Sequence, residues 1–244
     1  MGSKMTKAPP ANPAPVCASP EDVPFLYCLR NPEVLDWKSC LSPEEIEAQA
    51  RRQQDMPLEI SPTLFLADHK ACANLELMQA RGVTHIFNVA GKGHQCSEVE
   101  YRQAGIEQVS FDEAEDDEDY PMLERHLGAF REFCEKARVE KGDAAKVVIH
   151  CRAGLNRSGV LVSAELMLRE RIPVLEAVAR VRKARGNLML CNEGFQEQLV
   201  KLARDEGLLG KVPEGTVPEG LAEMERKRKK PPPGTAFLKT LAHM

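Results

Sequence analysis

The chain has 244 residues, 43% of them hydrophobic, with a formal net charge of -4; that is enough to bury one domain of ordinary size plus tails, and short for two. An acidic balance supplies no global basic field to draw the protein onto nucleic acid or anionic membrane, so any affinity for phosphate has to come from a local site. No stretch is apolar for long enough to span a bilayer and no apolar leader opens the chain, so a cytoplasmic or nuclear protein is expected.

In chain order, residues 1–24 read as a disordered arm, because Pro9, Pro10, Pro13, Pro15, Pro20 and Pro24 stand among small residues that cannot bury enough apolar surface. The next segment, 25–55, reads as an accessory piece. Within it Ser42-Pro43-Glu44-Glu45 offers an N-cap, a proline at the first helical position and a capping-box glutamate, predicting a short helix to about Gln53. The main domain pattern occupies 56–210. Leu64 to Leu66 reads as strand, Asn74 starts a helix closed by Gly82, and residues 83–89 read as strand again. Ile106, Val109 and Phe111 alternate as a strand, and Leu123, Leu127, Phe130, Cys134 and Ala137 share one face of a helix. Lys146 to His150 is a short strand rich in β-branched residues, followed by helical patterns over 158–170, 173–185 and 192–206. Strands alternating with helices predict an α/β fold, a central mostly parallel sheet flanked by helices. Residues 211–244 are dominated by proline, glycine and charge and read as an unpacked tail.

The eight cysteines show no C-x-x-C pair and no histidine at zinc-finger spacing, so reduced thiols are expected, with neither a metal nor a cofactor. By default Cys17, Cys28, Cys40, Cys72, Cys96, Cys134 and Cys191 pack as small hydrophobes. Likewise His69, His85, His94, His126 and His243 lack metal-ligand spacing and read as surface or satisfied histidines. Cys151 differs because of its surroundings. It stands in His150-Cys151-Arg152-Ala153-Gly154-Leu155-Asn156-Arg157-Ser158-Gly159, between a buried-looking strand and an amphipathic helix. A loop that leaves a strand and enters a helix turns consecutive N–H groups inward and adds the positive end of the helix dipole, forming an anion cradle from Arg152 to Arg157. The donors that would hold a phosphate also favour a thiolate at Cys151. Arg157 can take two phosphate oxygens with its planar fork, Gly154 frees the backbone within the curl, and Ser158 can donate to the sulfur as it leaves. His150 is read as orienting the loop.

This H-C-x5-R-S stretch resembles the signature of cysteine-based phosphatases, and the chain resembles the atypical dual-specificity protein phosphatases in particular. Residues 59–90 are similar to that family's opening strand, helix and second strand, and residues 192–199 to its last core helix. Ala67 and Gly159 depart from the usual pattern without replacing a catalytic group. The resemblance implies a protein phosphatase acting on phosphotyrosine and phosphoserine or phosphothreonine through a cysteinyl-phosphate, with a phosphoprotein, such as a protein kinase, as its partner. It also implies an aspartate after a strand as general acid, a place that Asp112 matches while Asp116 and Asp117 remain alternatives in the same acidic run. That run otherwise reads as a solvated loop. Competing readings are an RNA 5′-triphosphatase, for which Asn156 speaks, an inositol-lipid phosphatase, and a phosphoprotein-binding pseudophosphatase that does not cleave. Gly2 lies in an N-myristoylation pattern that would add a membrane anchor, and residues 226–230 form a basic strip that reads first as solvated tail. The oligomeric state is not encoded in any of these patterns.

Overall fold

A computed structural model describes residues 19–35, 55–91, 98–221 and 223. Five strands form one sheet in the order β1-β2-β5-β3-β4. Their ranges are β1 Leu58–Ser61, β2 Leu64–Asp68, β3 His85–Asn88, β4 Glu107–Ser110 and β5 Val147–Cys151. Only β1 runs antiparallel to its neighbour; the pairs β2/β5, β5/β3 and β3/β4 are parallel. The mostly parallel α/β sheet expected from the alternation is therefore what forms. Its central strand, Val147-Val148-Ile149-His150-Cys151, is buried at every position, as a parallel strand covered on both faces must be.

Helices cover both faces. On one side α2 (His69–Ala73), α3 (Leu75–Ala80) and α4 (Glu98–Gln103) border a smaller core containing Phe65, Ile86, Tyr101 and Val148. On the other, α5 (Met122–Lys141), α6 (Arg157–Glu170), α7 (Val174–Arg185) and α8 (Glu193–Asp205) enclose the main core with Leu66, Phe87, Val147 and Ile149. Adjacent residues of β5 thus point to opposite cores, which is the period-2 alternation of a strand. The helix expected from Asn74 to Gly82 forms as α3, and a further short helix, α2, precedes it. Asp68 caps α2 through Ala71 N at 2.8 Å, and Asn74 caps α3 through Leu77 N at 3.0 Å. Gly82, with φ +68, ends α3 in the left-handed conformation that glycine adopts at no steric cost.

Two further findings depart from the sequence expectation. Val23 and Pro24 open α1 (Val23–Arg30), a helix the periodicity did not single out; the predicted helix over 42–53, Gly2 and the basic strip at 226–230 lie outside the described residues. Leu26 and Leu29 of α1 are each 1% exposed in the main core. Arg30 pairs with Glu193 and Glu197 of α8, and Arg204 of α8 with Asp22. Residues 211–221, expected to be unpacked, lie against this helix: Val212 and Val217 pack on the core, Leu221 is buried, and Thr216 Oγ1 is 4.0 Å from Cys28 Sγ. The apolar face of α1 gives that proline-rich segment something to cover. Arg182 of α7 ties the pieces together, donating from Nε to Met189 O at 3.1 Å and from Nη2 to Leu29 O at 2.7 Å, and its burial pulls its pKa down to about 10. Among the described residues, no helix is long and apolar enough to cross a membrane.

Because α1 contributes to the core, Leu26→Ala is expected to lower the free energy of unfolding by about 2–5 kcal/mol. An unchanged urea midpoint would show that α1 docks without contributing to stability.

Candidate functional site

The parallel register delivers Asp68 opposite Cys151 and Asn88 opposite His150, so the carboxyl ends of β2, β5 and β3 converge at one edge of the sheet. Cys151 is the last residue of β5 and only 1% exposed. Residues 152–156 leave the strand without regular structure, and α6 begins at Arg157. Gly154 has φ +63, and a Cβ there would lie 2.5 Å from the carbonyl oxygen of Ala67. Only glycine lets the loop pass that close to β2. Of the two departures from the family pattern, Ala67 lies against this loop, and Gly159 in the first turn of α6 lies against Met189, whose Sδ would be 2.8 Å from a Cβ there.

The loop is held from outside by its carbonyls. Arg185, in the last turn of α7, donates from Nε to Gly154 O at 3.1 Å and from Nη2 to Ala153 O at 3.0 Å. The protonated Nδ1 of His69 donates to Arg152 O at 2.6 Å. Trans peptide geometry then turns the N–H groups of Ala153, Gly154 and Leu155 to the opposite side, a row of donors of the kind that cradles anions. Burial holds Arg185 below its ordinary guanidinium pKa, while Asp68 and Cys151 pull it back up. Arg152 itself is exposed, and His150 is fully buried beneath the loop.

Within the loop's embrace, Ser158 Oγ donates to Cys151 Sγ at 3.2 Å. Arg157 is 8% exposed and donates from Nη1 to Ala114 O at 3.0 Å; its Nε is buried with no hydrogen-bond partner. Among the described residues it makes no ion pair. A buried guanidinium without a carboxylate is costly unless an anion completes it, and its planar fork suits two oxygens of a tetrahedral oxyanion.

The acidic run sits over this edge and is only partly the solvated loop that its composition predicts. Asp112, two residues past β4, is exposed and has no polar partner among the described residues. Its backbone oxygen and the Arg157 Nη1 both lie within 4 Å of the Cβ position of Gly91. Asp116 is a tether: Oδ2 accepts from Asn156 Nδ2 at 3.3 Å and Oδ1 from Asn192 Nδ2 at 3.1 Å. Asn156 Oδ1 in turn accepts from the backbone N–H of Cys191 at 2.9 Å and of Asn192 at 3.2 Å. Asp117 accepts from Asp119 N at 2.9 Å. Farther along, Gln198 of α8 bonds both Tyr120 O and Leu123 N, and a Cβ on Gly194 would fall 1.9 Å from Glu118 O. Two of the three candidate acids are thus engaged in building the loop, and Asp112 is not.

Sequence patterns found Cys151, Arg157, Ser158, Gly154 and the acidic run, and they missed Arg185, His69, Asn192 and Gln198. Asn192 carried a usable signal as an N-cap, since its side chain accepts from Phe195 N at 3.1 Å; Arg185 carried none beyond a base in a last helical turn. The cysteines also divide. Cys28, Cys72 and Cys134 are buried as expected, with burial pushing the Cys134 thiol up to about 12, whereas Cys191 is exposed beside Asn156. Cys17, Cys40, Cys96, His94 and His243 lie outside the described residues. His126 is buried, its Nε2 2.7 Å from Tyr120 Oη, and burial lowers its pKa.

Comparison with known proteins places this edge in context. The family profile described as the dual specificity phosphatase catalytic domain matches residues 64–205, which span β2 through α8. Dual specificity protein phosphatase 26 from Bos taurus is 32% identical over 146 residues, covering 60% of this chain and 66% of that protein. A MAP kinase phosphatase with leucine-rich repeats from Dictyostelium discoideum is 29% identical over 180 residues, 72% of this chain and 20% of that protein. Among solved structures, human DUSP28 superposes with a TM-score of 0.52 at 27% identity, covering 62% of this chain and 95% of that one. The match thus spans just under two thirds of the Bos taurus relative's length.

If the 152–156 loop is an anion cradle, Gly154→Ala should weaken binding of inorganic phosphate by about tenfold or more, through strain at a positive φ and collision with Ala67. Calorimetric titration that returned the affinity of the unmodified protein would remove the loop from the binding site.

Proposed function

Since this chain belongs to the dual specificity phosphatase catalytic-domain family, we propose that it is a protein phosphatase acting on phosphotyrosine and on phosphoserine or phosphothreonine through a cysteinyl-phosphate intermediate. The observation that carries the reading is Arg157: a buried cation with no counter-ion among the described residues, next in sequence to the serine that hydrogen-bonds the Cys151 sulfur.

In the first step the Cys151 thiolate attacks phosphorus, a P–S bond forms as the ester P–O bond breaks, and Asp112 gives its proton to the departing oxygen. Arg157 and the loop N–H groups hold the three non-bridging oxygens where charge gathers. In the second step water attacks phosphorus and Asp112, now a carboxylate, takes the water's proton. The P–S bond breaks, and the Ser158 hydroxyl, 3.2 Å from Sγ, stabilises the thiolate as it leaves. His150 acts only by supporting the loop from below. No step calls for a metal or an organic cofactor.

The rival chemistries draw less support. The Asn156 amide that likens the loop to RNA 5′-triphosphatases is occupied with Asp116, Cys191 and Asn192, so it serves the scaffold instead of a polyphosphate. An inositol-lipid phosphatase calls for more positive charge than Arg152 alone brings to the loop. A non-cleaving binder has no use for a serine aimed at the sulfur. For the partner, the Dictyostelium relative is named for MAP kinases, and a phosphorylated kinase is the substrate we would try first.

Cys151→Ser should abolish turnover of an aryl phosphate while phosphate binding persists, because an un-ionised hydroxyl replaces the thiolate. Substantial residual activity would reject the nucleophile. Asp112→Asn should slow phosphotyrosine hydrolysis by about 10²–10⁴-fold and spare an activated aryl phosphate, whose leaving oxygen needs little protonation. Asp116→Asn, which loosens the tether, should slow both substrates alike. The reverse pattern would move the general acid to Asp116.

A further inference from the structure

At the end of the sheet remote from Cys151, three acceptor atoms converge. His85 opens β3, Glu107 opens β4 directly across the parallel ladder, and Glu140 comes from the last turn of α5. The His85 side chain is 1% exposed, and its Nε2 lies 3.6 Å from Glu140 Oε2 and 3.9 Å from Glu107 Oε2. That nitrogen has no hydrogen-bond partner, and one ligand atom from each of the three residues falls within 4.8 Å of the others.

The other ring nitrogen, Nδ1, is 2.8 Å from Thr84 Oγ1, which also accepts from Lys146 N at 3.0 Å. In the tautomer in which Nδ1 donates to that hydroxyl, Nε2 presents a bare lone pair to two carboxylate oxygens. A buried lone pair facing two anions is unfavourable unless a cation lies between them. Lys136 neutralises the carboxylates, with Nζ 2.6 Å from Glu107 Oε1 and 3.7 Å from Glu140 Oε1, but it makes no hydrogen bond to the imidazole among the described residues. It is half exposed and on a flexible stem, so it can turn out to solvent.

We propose that His85, Glu107 and Glu140 form a binding site for a divalent cation of the zinc class, with water as the fourth ligand. Ligand atoms about 2.0–2.2 Å from a tetrahedral zinc stand roughly 3.3–3.5 Å apart, so the 3.6 and 3.9 Å separations need only a few tenths of an ångström of closure. One imidazole and two carboxylates suit zinc better than the all-oxygen shells that calcium and magnesium take, and the hydrogen bond from Nδ1 to Thr84 is the kind of support that orients a metal-ligating histidine. The site is separate from hydrolysis. His85 pairs with Val147, four residues before Cys151, which is about 13 Å along the strand. A metal there joins β3, the edge strand β4 and α5, and acts by stabilising them.

The test uses the full chain as Cys151→Ser, so that the catalytic thiol cannot bind metal, stripped with a chelator and titrated with zinc by calorimetry and with cobalt by absorption. One saturable equivalent is expected, with cobalt bands that lack thiolate charge transfer, and a rise in melting temperature. Adding Glu140→Gln, on the helix surface, should weaken zinc by about tenfold or more, whereas Lys136→Met should tighten it by removing the competing ammonium. Absence of saturable binding, a thiolate band pointing to a cysteine, indifference to Glu140→Gln, or no gain from Lys136→Met would each overturn the proposal.

Discussion

The guanidinium of Arg157 is the constraint around which the site is organised. Taking a cation out of water without a carboxylate beside it costs several kcal/mol, and the fold tolerates this only by fixing the side chain with the backbone oxygen of Ala114 and burying it at the start of α6. Everything that shapes the loop serves the same end. Gly154 lets the chain curl against β2, and Arg185 and His69 bind the carbonyls on the outside, which leaves the N–H groups for the inside. On the proposed reading, a site assembled in this way would bind an oxyanion with little reorganisation, which is where electrostatic catalysis gains most.

The same arginine joins the cradle to the acidic loop, and Asp116 repeats the connection from the other side. Through Asn156 and Asn192 that carboxylate links the phosphate loop, the acidic segment and the N-terminus of α8 in one hydrogen-bonded unit. Gly194 and Gln198 press α8 onto the backbone of the segment immediately after. On the proposed reading, the loop that carries Asp112 is already in place, so general acid and nucleophile would need little reorganisation relative to each other when substrate arrives. The remaining acidic groups stay exposed at the rim, where their charge is screened by salt over about 10 Å at 0.1 M.

Outside the segment that matches the family, α1 and residues 211–221 extend the main core. Their link to the site is indirect but continuous. Arg182 holds α1 through Leu29 and holds Met189, whose sulfur packs over Gly159 in the first turn of α6. The accessory helix is thus part of the support beneath the 152–156 loop, and it makes the domain larger than the family segment alone.

What the sequence determined by itself was local. Alternating strand and helix periodicities gave the mostly parallel sheet, and a strand followed by His150 to Ser158 placed cysteine, glycine, arginine and serine in a turn whose chemistry depends on neighbours a few residues apart. Cys151 was legible because strand, loop and helix start are contiguous in the chain. Tertiary structure decided what depends on distant residues meeting. No spacing rule joins Asn156 to Asp116, 40 positions away, or Arg185 to Gly154, because those contacts exist only once the helices have docked on the sheet. The choice among Asp112, Asp116 and Asp117 is of the same kind: adjacent carboxylates look alike in one dimension, and only packing assigns one of them to a tether. His85, Glu107 and Glu140 show the principle most plainly, since parallel pairing and a long helix bring together three groups whose separations along the chain carry no metal-binding signature.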